Sequence, residues 1–225
     1  VDAHSELSDG YIRLAVETLQ RTGADNVGGI MGARGVTSFE KAVAAAMTSP
    51  LGVGSASFHT GGNEGPTETV YLGVFRRSAL ERVGGYDPNF TRAQDWEMNY
   101  RLRKAGGAIW FDPRLVVTYR PRPDIRKLAR QYFEYGRWRR AVARSYPETV
   151  SARYLAAPIA FLINFFSISC GLIIHNIFLI PVLGYLTLVT LGGLFIGENW
   201  RERIRLPFIL IAMHMSWGWG FISSP

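Results

Sequence analysis

In the stretch "TRAQDWEMNYRLRKAGG", Thr91 to Gly107, two acids stand two residues apart and invite different chemistry. Thr91 with Gln94 three positions later has the spacing of a capping box, which predicts a helix beginning near Arg92 and puts Asp95 in its first turn or two. Glu97 stands four residues before Arg101, the favourable orientation for an i,i+4 ion pair. Asp95 faces away from Glu97, has Asn99 rather than a base at i+4, and lies near the positive end of the helix dipole, which favours its ionised form. A carboxylate in that state can take a proton from a substrate hydroxyl. The plainer alternative is an acid favoured there by the dipole alone. In "VDAHS", alternation puts Asp2 and His4 on one side of an extended segment, where carboxylate and imidazole suit a divalent cation such as Mn2+ or Mg2+, or simply a surface turn. In "FEYGRWRR", Arg137, Arg139 and Arg140 surround Trp138. Guanidinium groups can clamp phosphate oxygens bidentately, and the same residues would equally suit a basic helix with Trp138 at headgroup level. His59, in the glycine-rich "SFHTGGNEGPTET", is either a polar contact on a loop that closes over a ligand or a solvated side chain.

The elements that must position these groups alternate between helix and strand. "SDGYIRLAVETLQRTGA" sets Ile12, Ala15, Val16 and Leu19 on one helical face, with Ser8 as N-cap and Gly23 as the stop. A second helix follows Thr37 and Ser38 through Phe39, Ala42, Val43 and Ala46, and ends at Pro50. Between Pro50 and Pro66 no period is visible, which predicts a long loop. "ETVYLGVFRR" reads as a strand with Val70, Leu72 and Val74 on one side and Tyr71, Gly73 and Phe75 on the other. "SALERVGGYD" predicts a short helix closed by a Gly-Gly turn, and "AIWFDPRLVVTYRPRP" two short strands around Asp112-Pro113. The alternation predicts an α/β sheet covered by helices.

The last third is different in kind. From Tyr154 to Gly197 there is no Asp, Glu, Lys or Arg, a run of roughly 40 residues that could cross a bilayer twice at about 20 per span. The predicted spans are 155–174 and 177–197, with a third apolar stretch at about 206–222 that re-enters the membrane and is truncated. The formal charge of +7 is concentrated in "RPRPDIRKLARQYFEYGRWRRAVARSYPETVSARY", directly before the first span. That placement argues for anionic membrane lipids as the polyanionic partner, and against nucleic acid. With both basic segments on the cytoplasmic side, "ENWRERIR" returns to the side of the soluble part, and His175 and Asn176 face the other. The single cysteine, Cys170, excludes an internal disulfide and a cysteine-based metal site. "VDAHSELSDG" has neither Met nor the regions of a signal peptide, and reads as the interior of a domain.

"VDAHS", "ETVYLGVFRRSALERVGGYD", "AQDWEMNYRLRKAGG" and "IWFDPRLVVTYRPR", in this order and spacing, resemble the second half of a family 2 glycosyltransferase. The likeness is above all to the membrane-attached enzymes of bacterial exopolysaccharide synthesis of the succinoglycan type. The resemblance implies the C-terminal part of a GT-A, Rossmann-like α/β domain over residues 1–119. A basic amphipathic juxtamembrane segment would follow over 120–153, and a transmembrane region over 154–225. It implies a nucleotide-sugar donor, a divalent cation, a lipid-linked or glycan acceptor, and inversion at the anomeric carbon. The catalytic domain would lie on the cytoplasmic side of the inner membrane in a multi-pass protein. Asp2 would match the first Asp of the family's Asp-X-Asp metal motif, with His4 where the second Asp is usual. Gln94-Asp95 would match the Glu-Asp or Gln-Asp motif, making Asp95 the base that deprotonates the acceptor. Arg137 and Trp138 would match the Arg-Trp of Gln-X-X-Arg-Trp. Glu134 stands at the Gln position, which argues against a polymerising synthase. Gly73, Gln94 and Arg140 complete the expected substrate-binding positions. The nucleotide-binding half of such a domain would precede Val1, so this stretch alone is expected to be inactive. Two alternatives are a polyprenyl-phosphate sugar synthase and a noncatalytic membrane scaffold; the scaffold gives no reason for an isolated Asp95.

Overall fold

The computed structural model describes residues 5–224. In chain order its elements are β1 (Ser5–Leu7), α1 (Tyr11–Thr22), β2 (Asn26–Ala33), α2 (Ser38–Met47), α3 (Pro50–Val53), α4 (Ser57–Thr60), β3 (Gly65–Pro66), β4 (Tyr71–Phe75), α5 (Arg77–Arg82), α6 (Gln94–Lys104) and β5 (Ile109–Tyr119). They are followed by α7 (Ile125–Ser145), α8 (Ala152–Ile173), α9 (Ile180–Ile196) and α10 (Trp200–Ser223). The chain forms two compact units, one of residues 5–34 and 55–120, the other of 35–54 and 121–224.

The first unit is a mixed sheet in the order β1-β5-β2-β4, with the short β3 also on β5. β2 runs parallel to β5, and the other pairings are antiparallel. Helices cover both faces, as the alternation of elements implies. On one face Tyr11, Ala15 and Leu19 of α1 pack on Val27, Leu115 and Val117. On the other, Ala79 of α5 with Met98 and Leu102 of α6 packs on Val70, Ile109 and Phe111.

Three local expectations change. The buried face of α1 consists of Tyr11, Ala15, Thr18 and Leu19, while Ile12 and Val16 are 54% and 40% exposed. Two hydrogen bonds decide the rotation: Tyr11 Oη donates to Leu72 O (3.0 Å) and Thr18 Oγ1 to the buried Asp112 (2.9 Å). The helix starts after Gly10, in the left-handed region at φ 73°, with no side-chain cap from Ser8. Second, the alternation of β4 fails at Leu72, whose φ is +43°; Tyr71, Leu72 and Val74 join the α1 cluster, and Val70 and Phe75 the α6 cluster. Third, Asp112-Pro113 does not separate two strands. It lies in a bulge within the single strand β5, where the register passes from Gly28↔Phe111 to Ile30↔Val116. The bulge holds because Asp112 turns inward to accept from Thr18 and from Arg114 N (3.0 Å), Nε (3.0 Å) and Nη2 (2.7 Å). Burial alone would raise its pKa; the hydrogen bonds of Arg114 and Thr18 outweigh this and hold it below the usual carboxylate range.

In the second unit, α2 begins after Thr37, where the sequence placed its start. Thr37 accepts from Glu40 N and Glu40 accepts from Thr37 N, a reciprocal capping box. The stretch 50–66 is more ordered than a loop, since it contains α3 in this unit and α4 and β3 in the first. Three helices are long and apolar enough to cross a membrane: Ala152–Ile173, Asn176–Ile196 and Trp200–Ser223. They carry strongly exposed apolar residues, among them Leu172, Ile173 and Phe195 at 77%, 82% and 87%. The first two match expectation closely. The third is a continuous 24-residue helix that starts at Trp200 and takes in most of "ENWRERIR". Its start is fixed by Asn199, which accepts from Glu202 N (3.1 Å), and by Glu202, which accepts from Glu198 N (3.0 Å) and Asn199 Nδ2 (2.6 Å). α7 and α10 approach closely through small residues: a Cβ on Gly136 would stand 2.0 Å from Trp217 O, and one on Gly220 2.1 Å from Phe133 O.

Candidate active site

Asp95 lies at the second residue of α6, half-buried and in the first turn. The capping box expected from Thr91 does not form. The N-cap is Ala93, held in the left-handed region at φ 58°, and no side chain caps the helix. The first turn is therefore set by a strained backbone residue and by what the rest of α6 buries, namely Glu97, Met98, Asn99, Tyr100 and Leu102.

Two side chains bind this helix to its surroundings. Asn99 Oδ1 accepts from Asn26 Nδ2 of β2 (2.7 Å), and Asn99 Nδ2 donates to Thr69 Oγ1 (2.9 Å). Arg101 does more than the expected ion pair. Its Nε and Nη2 reach the two oxygens of Glu97 at 2.5 and 2.8 Å, and its remaining donors go to Val83 O (2.6 Å) and Gly85 O (2.7 Å). Glu97 is fully buried, so this is an interior pair rather than a pair on the helix surface.

The carbonyls that Arg101 holds belong to the turn after α5, where Gly84 and Gly85 have φ values of 76° and 72°. The next residue, Tyr86, turns back to α6 and donates its hydroxyl to Asp95 Oδ1 at 3.1 Å. Its ring stands edge-on to Phe75, with centroids 6.3 Å apart. Burial first, then the negative charge of Asp95, push the Tyr86 hydroxyl above the usual phenol range, so it is a protonated donor at neutral pH. Sequence reading passed over Tyr86; the signal was a polar-tipped aromatic directly after a Gly-Gly turn.

The other positions divide between the units. Gln94 is exposed at the first residue of α6, and His59 is the third residue of the short α4, its ring centroid 4.3 Å from that of Phe58. Gly73 lies in β4, where an added Cβ would come within 2.1 Å of Asn26 Oδ1. All three belong, with Asp95 and Tyr86, to the first unit. Arg137, Trp138 and Arg140 belong to the second, on α7. There Arg137 faces Glu134 at 3.6 Å, Trp138 is half-buried, and Arg140 lies over the ring of Phe221 at 5.2 Å. Arg139 leaves the expected basic cluster altogether. It is buried over the Tyr154 ring at 3.6 Å and donates to Thr149 O at 2.5 Å, fixing the turn from α7 to α8. Asp2 and His4 lie outside the described residues. Among the described residues no group of three or more His, Cys, Asp or Glu could hold a metal ion.

No family model matches the chain. The succinoglycan biosynthesis protein ExoA of Rhizobium meliloti (strain 1021) is 33% identical over 229 residues, which cover 98% of this chain and 67% of that protein. A dolichyl N-acetyl-alpha-D-glucosaminyl phosphate 3-beta-D-2,3-diacetamido-2,3-dideoxy-beta-D-glucuronosyltransferase of Methanococcus voltae is 24% identical over 226 residues, 97% of this chain and 67% of its own length. With likeness to ExoA along nearly its whole length, a mixed sheet covered by helices and three membrane-capable helices later in the sequence, the chain belongs to the membrane-attached exopolysaccharide glycosyltransferases of the succinoglycan type.

Proposed function

We propose that this protein transfers a sugar, with inversion, from a nucleoside-diphosphate donor to a lipid-linked glycan at the cytoplasmic face of the inner membrane, and that Asp95 is the general base. The observation that carries the reading is the contrast between two acids on one helix. Glu97 is buried and bound to Arg101, whereas Asp95 is half-buried at the helix start and held by a neutral phenol. In the proposed step the acceptor oxygen attacks the anomeric carbon while its proton passes to the Asp95 carboxylate. The bond from that carbon to the diphosphate breaks, and the nucleoside diphosphate leaves on the opposite face. A divalent cation held by Asp2 and His4 is part of the proposal; it would neutralise charge on the diphosphate. Gly73, Gln94, Arg137, Trp138, Arg140 and His59 remain proposed contacts to donor or acceptor.

The Methanococcus voltae relative is named for transfer to a dolichyl-linked N-acetylglucosaminyl phosphate. That name favours a lipid-linked sugar as acceptor over a bare polyprenyl phosphate. The test is Asp95→Asn in full-length protein. Turnover should fall by about two to four orders of magnitude, the usual worth of general-base assistance, with donor binding nearly intact. Wild-type turnover in that variant would refute the assignment. For the cation, Asp2→Ala should abolish metal-dependent donor binding; donor affinity unchanged by this substitution and by EDTA would remove the cation from the proposal.

A further inference from the structure

We infer that Tyr86 is a positioning residue for the transfer, its hydroxyl fixing the rotation of the Asp95 carboxylate toward the acceptor. This rests on the reading of Asp95 as base. The geometry is a closed circuit. Arg101, anchored by the buried Glu97, reaches from α6 to the carbonyls of Val83 and Gly85. The turn so held delivers Tyr86, and Tyr86 returns to Asp95 on the same helix, six residues or roughly 9 Å before Arg101. Every link is directional: a guanidinium fork on two carbonyls and a carboxylate, two left-handed glycines, then a single O–H on Oδ1. An exposed tyrosine meeting an acid by chance would not need a buried ion pair to hold the turn that carries it.

The phenol acts on chemistry as well as on orientation. A hydrogen bond donated to a carboxylate favours its charged form, the form that accepts the proton. Removing the hydroxyl should therefore move the acidic limb of activity to higher pH, an effect that a purely structural residue would lack. The hydroxyl can be removed without losing the ring, since a phenylalanine side chain in its place could keep the edge-on contact with Phe75.

The experiment uses full-length protein in phosphatidylethanolamine–phosphatidylglycerol vesicles containing a polyprenyl-diphosphate-linked sugar. UDP release is followed from UDP-glucose, UDP-galactose and UDP-N-acetylglucosamine. Tyr86→Phe should lower kcat by roughly tenfold with donor KM unchanged, and shift the acidic limb of kcat upward by about half a unit to one unit. Replacing Tyr86 with 3,5-difluorotyrosine, a stronger donor of the same shape, should shift the limb downward. A wild-type pH profile in both proteins would overturn the inference. Asp95→Asn in the same assay separates the two claims. If it is inactive while both Tyr86 variants keep the wild-type profile, only the role of Tyr86 fails; if it keeps wild-type turnover, the base assignment fails and the inference with it.

Discussion

Asp95 and Glu97 are two residues apart, and what separates their roles is burial rather than spacing. Glu97 has no solvent exposure and Arg101 keeps only 22% of its side chain in water, so removing the acid takes a buried carboxylate away from a largely buried guanidinium. Glu97→Ala is expected to destabilise the protein by about 3 kcal/mol, the low end for a broken buried pair because Arg101 retains some water. A pair on a helix surface would be worth only about 0.2 to 0.5 kcal/mol. Thermal melting of the variant beside Asp95→Asn checks this: Glu97→Ala should lose stability and Asp95→Asn should melt near the wild type. Equal melting temperatures for wild type and Glu97→Ala would contradict the burial argument. The Glu97–Arg101 pair was legible in the sequence, because it follows from helical spacing; the first-turn position of Asp95 was reached through a Thr91 capping box that does not form. The burial of Glu97 was not legible, because which face of α6 meets the sheet is decided by Asn99 reaching Asn26 and Thr69, partners 73 and 30 residues away.

At the scale of elements, local rules held where the stabilising contact is itself local. A helix follows Thr37 as expected, started by a Thr37–Glu40 capping box, and Gly23 ends α1 with its N–H on Leu19 O. They failed on α1, where the distant Leu72 and Asp112 recruit Tyr11 and Thr18, and at α6, where Ala93 rather than Thr91 stands at the N-cap. The N-cap of α6 instead places Ala93 at φ 58°, a conformation that costs an L-residue roughly 1 to 2 kcal/mol, two residues from the proposed base. Ala93→Gly should remove that cost, and after the extra unfolded-state freedom of glycine, about 0.4 to 1 kcal/mol, the net effect should be a gain near 0.5 kcal/mol. A loss of stability in a denaturation series would show that the strain has been misjudged. Gly73→Ala should act oppositely. Its Cβ would meet Asn26 Oδ1 at 2.1 Å and force Asn26 from Asn99, loosening the helix that carries Asp95. A melting temperature equal to wild type would show that Asn26 can move aside at no cost.

At the scale of the whole molecule, hydropathy and contacts point in different directions for α10. By length and composition it could cross a membrane. Its beginning, Asn199 to Glu202, lines one cleft with Val36, Ser38 and Lys41 at the start of α2. Its middle is tied to α3: Leu51 O can only accept, so His214 Nε2 carries the proton and donates at 2.8 Å. Its end rests on α7, with Gly136 against Trp217 and Arg144 Nη2 donating to Ser224 O at 3.1 Å. Between α3 and α7, no helix among the described residues is long and apolar enough to cross. From these contacts we predict that this helix of 24 residues, about 36 Å long, has both ends on the side of α2, α3 and α7 and lies along or dips into the bilayer without crossing it. Hydropathy does not distinguish the two placements, because an apolar helix that packs on its own protein and one that faces lipid can have the same composition. With Cys170 replaced by alanine, single cysteines at Ser38, Asn176 and Ser224 give the test. A membrane-impermeant maleimide should reach Ser38→Cys and Ser224→Cys from the same side, and Asn176→Cys, at the turn between α8 and α9, from the other. If Ser224→Cys is labelled together with Asn176→Cys instead, α10 is a third span and its packing against α7 does not hold in the membrane.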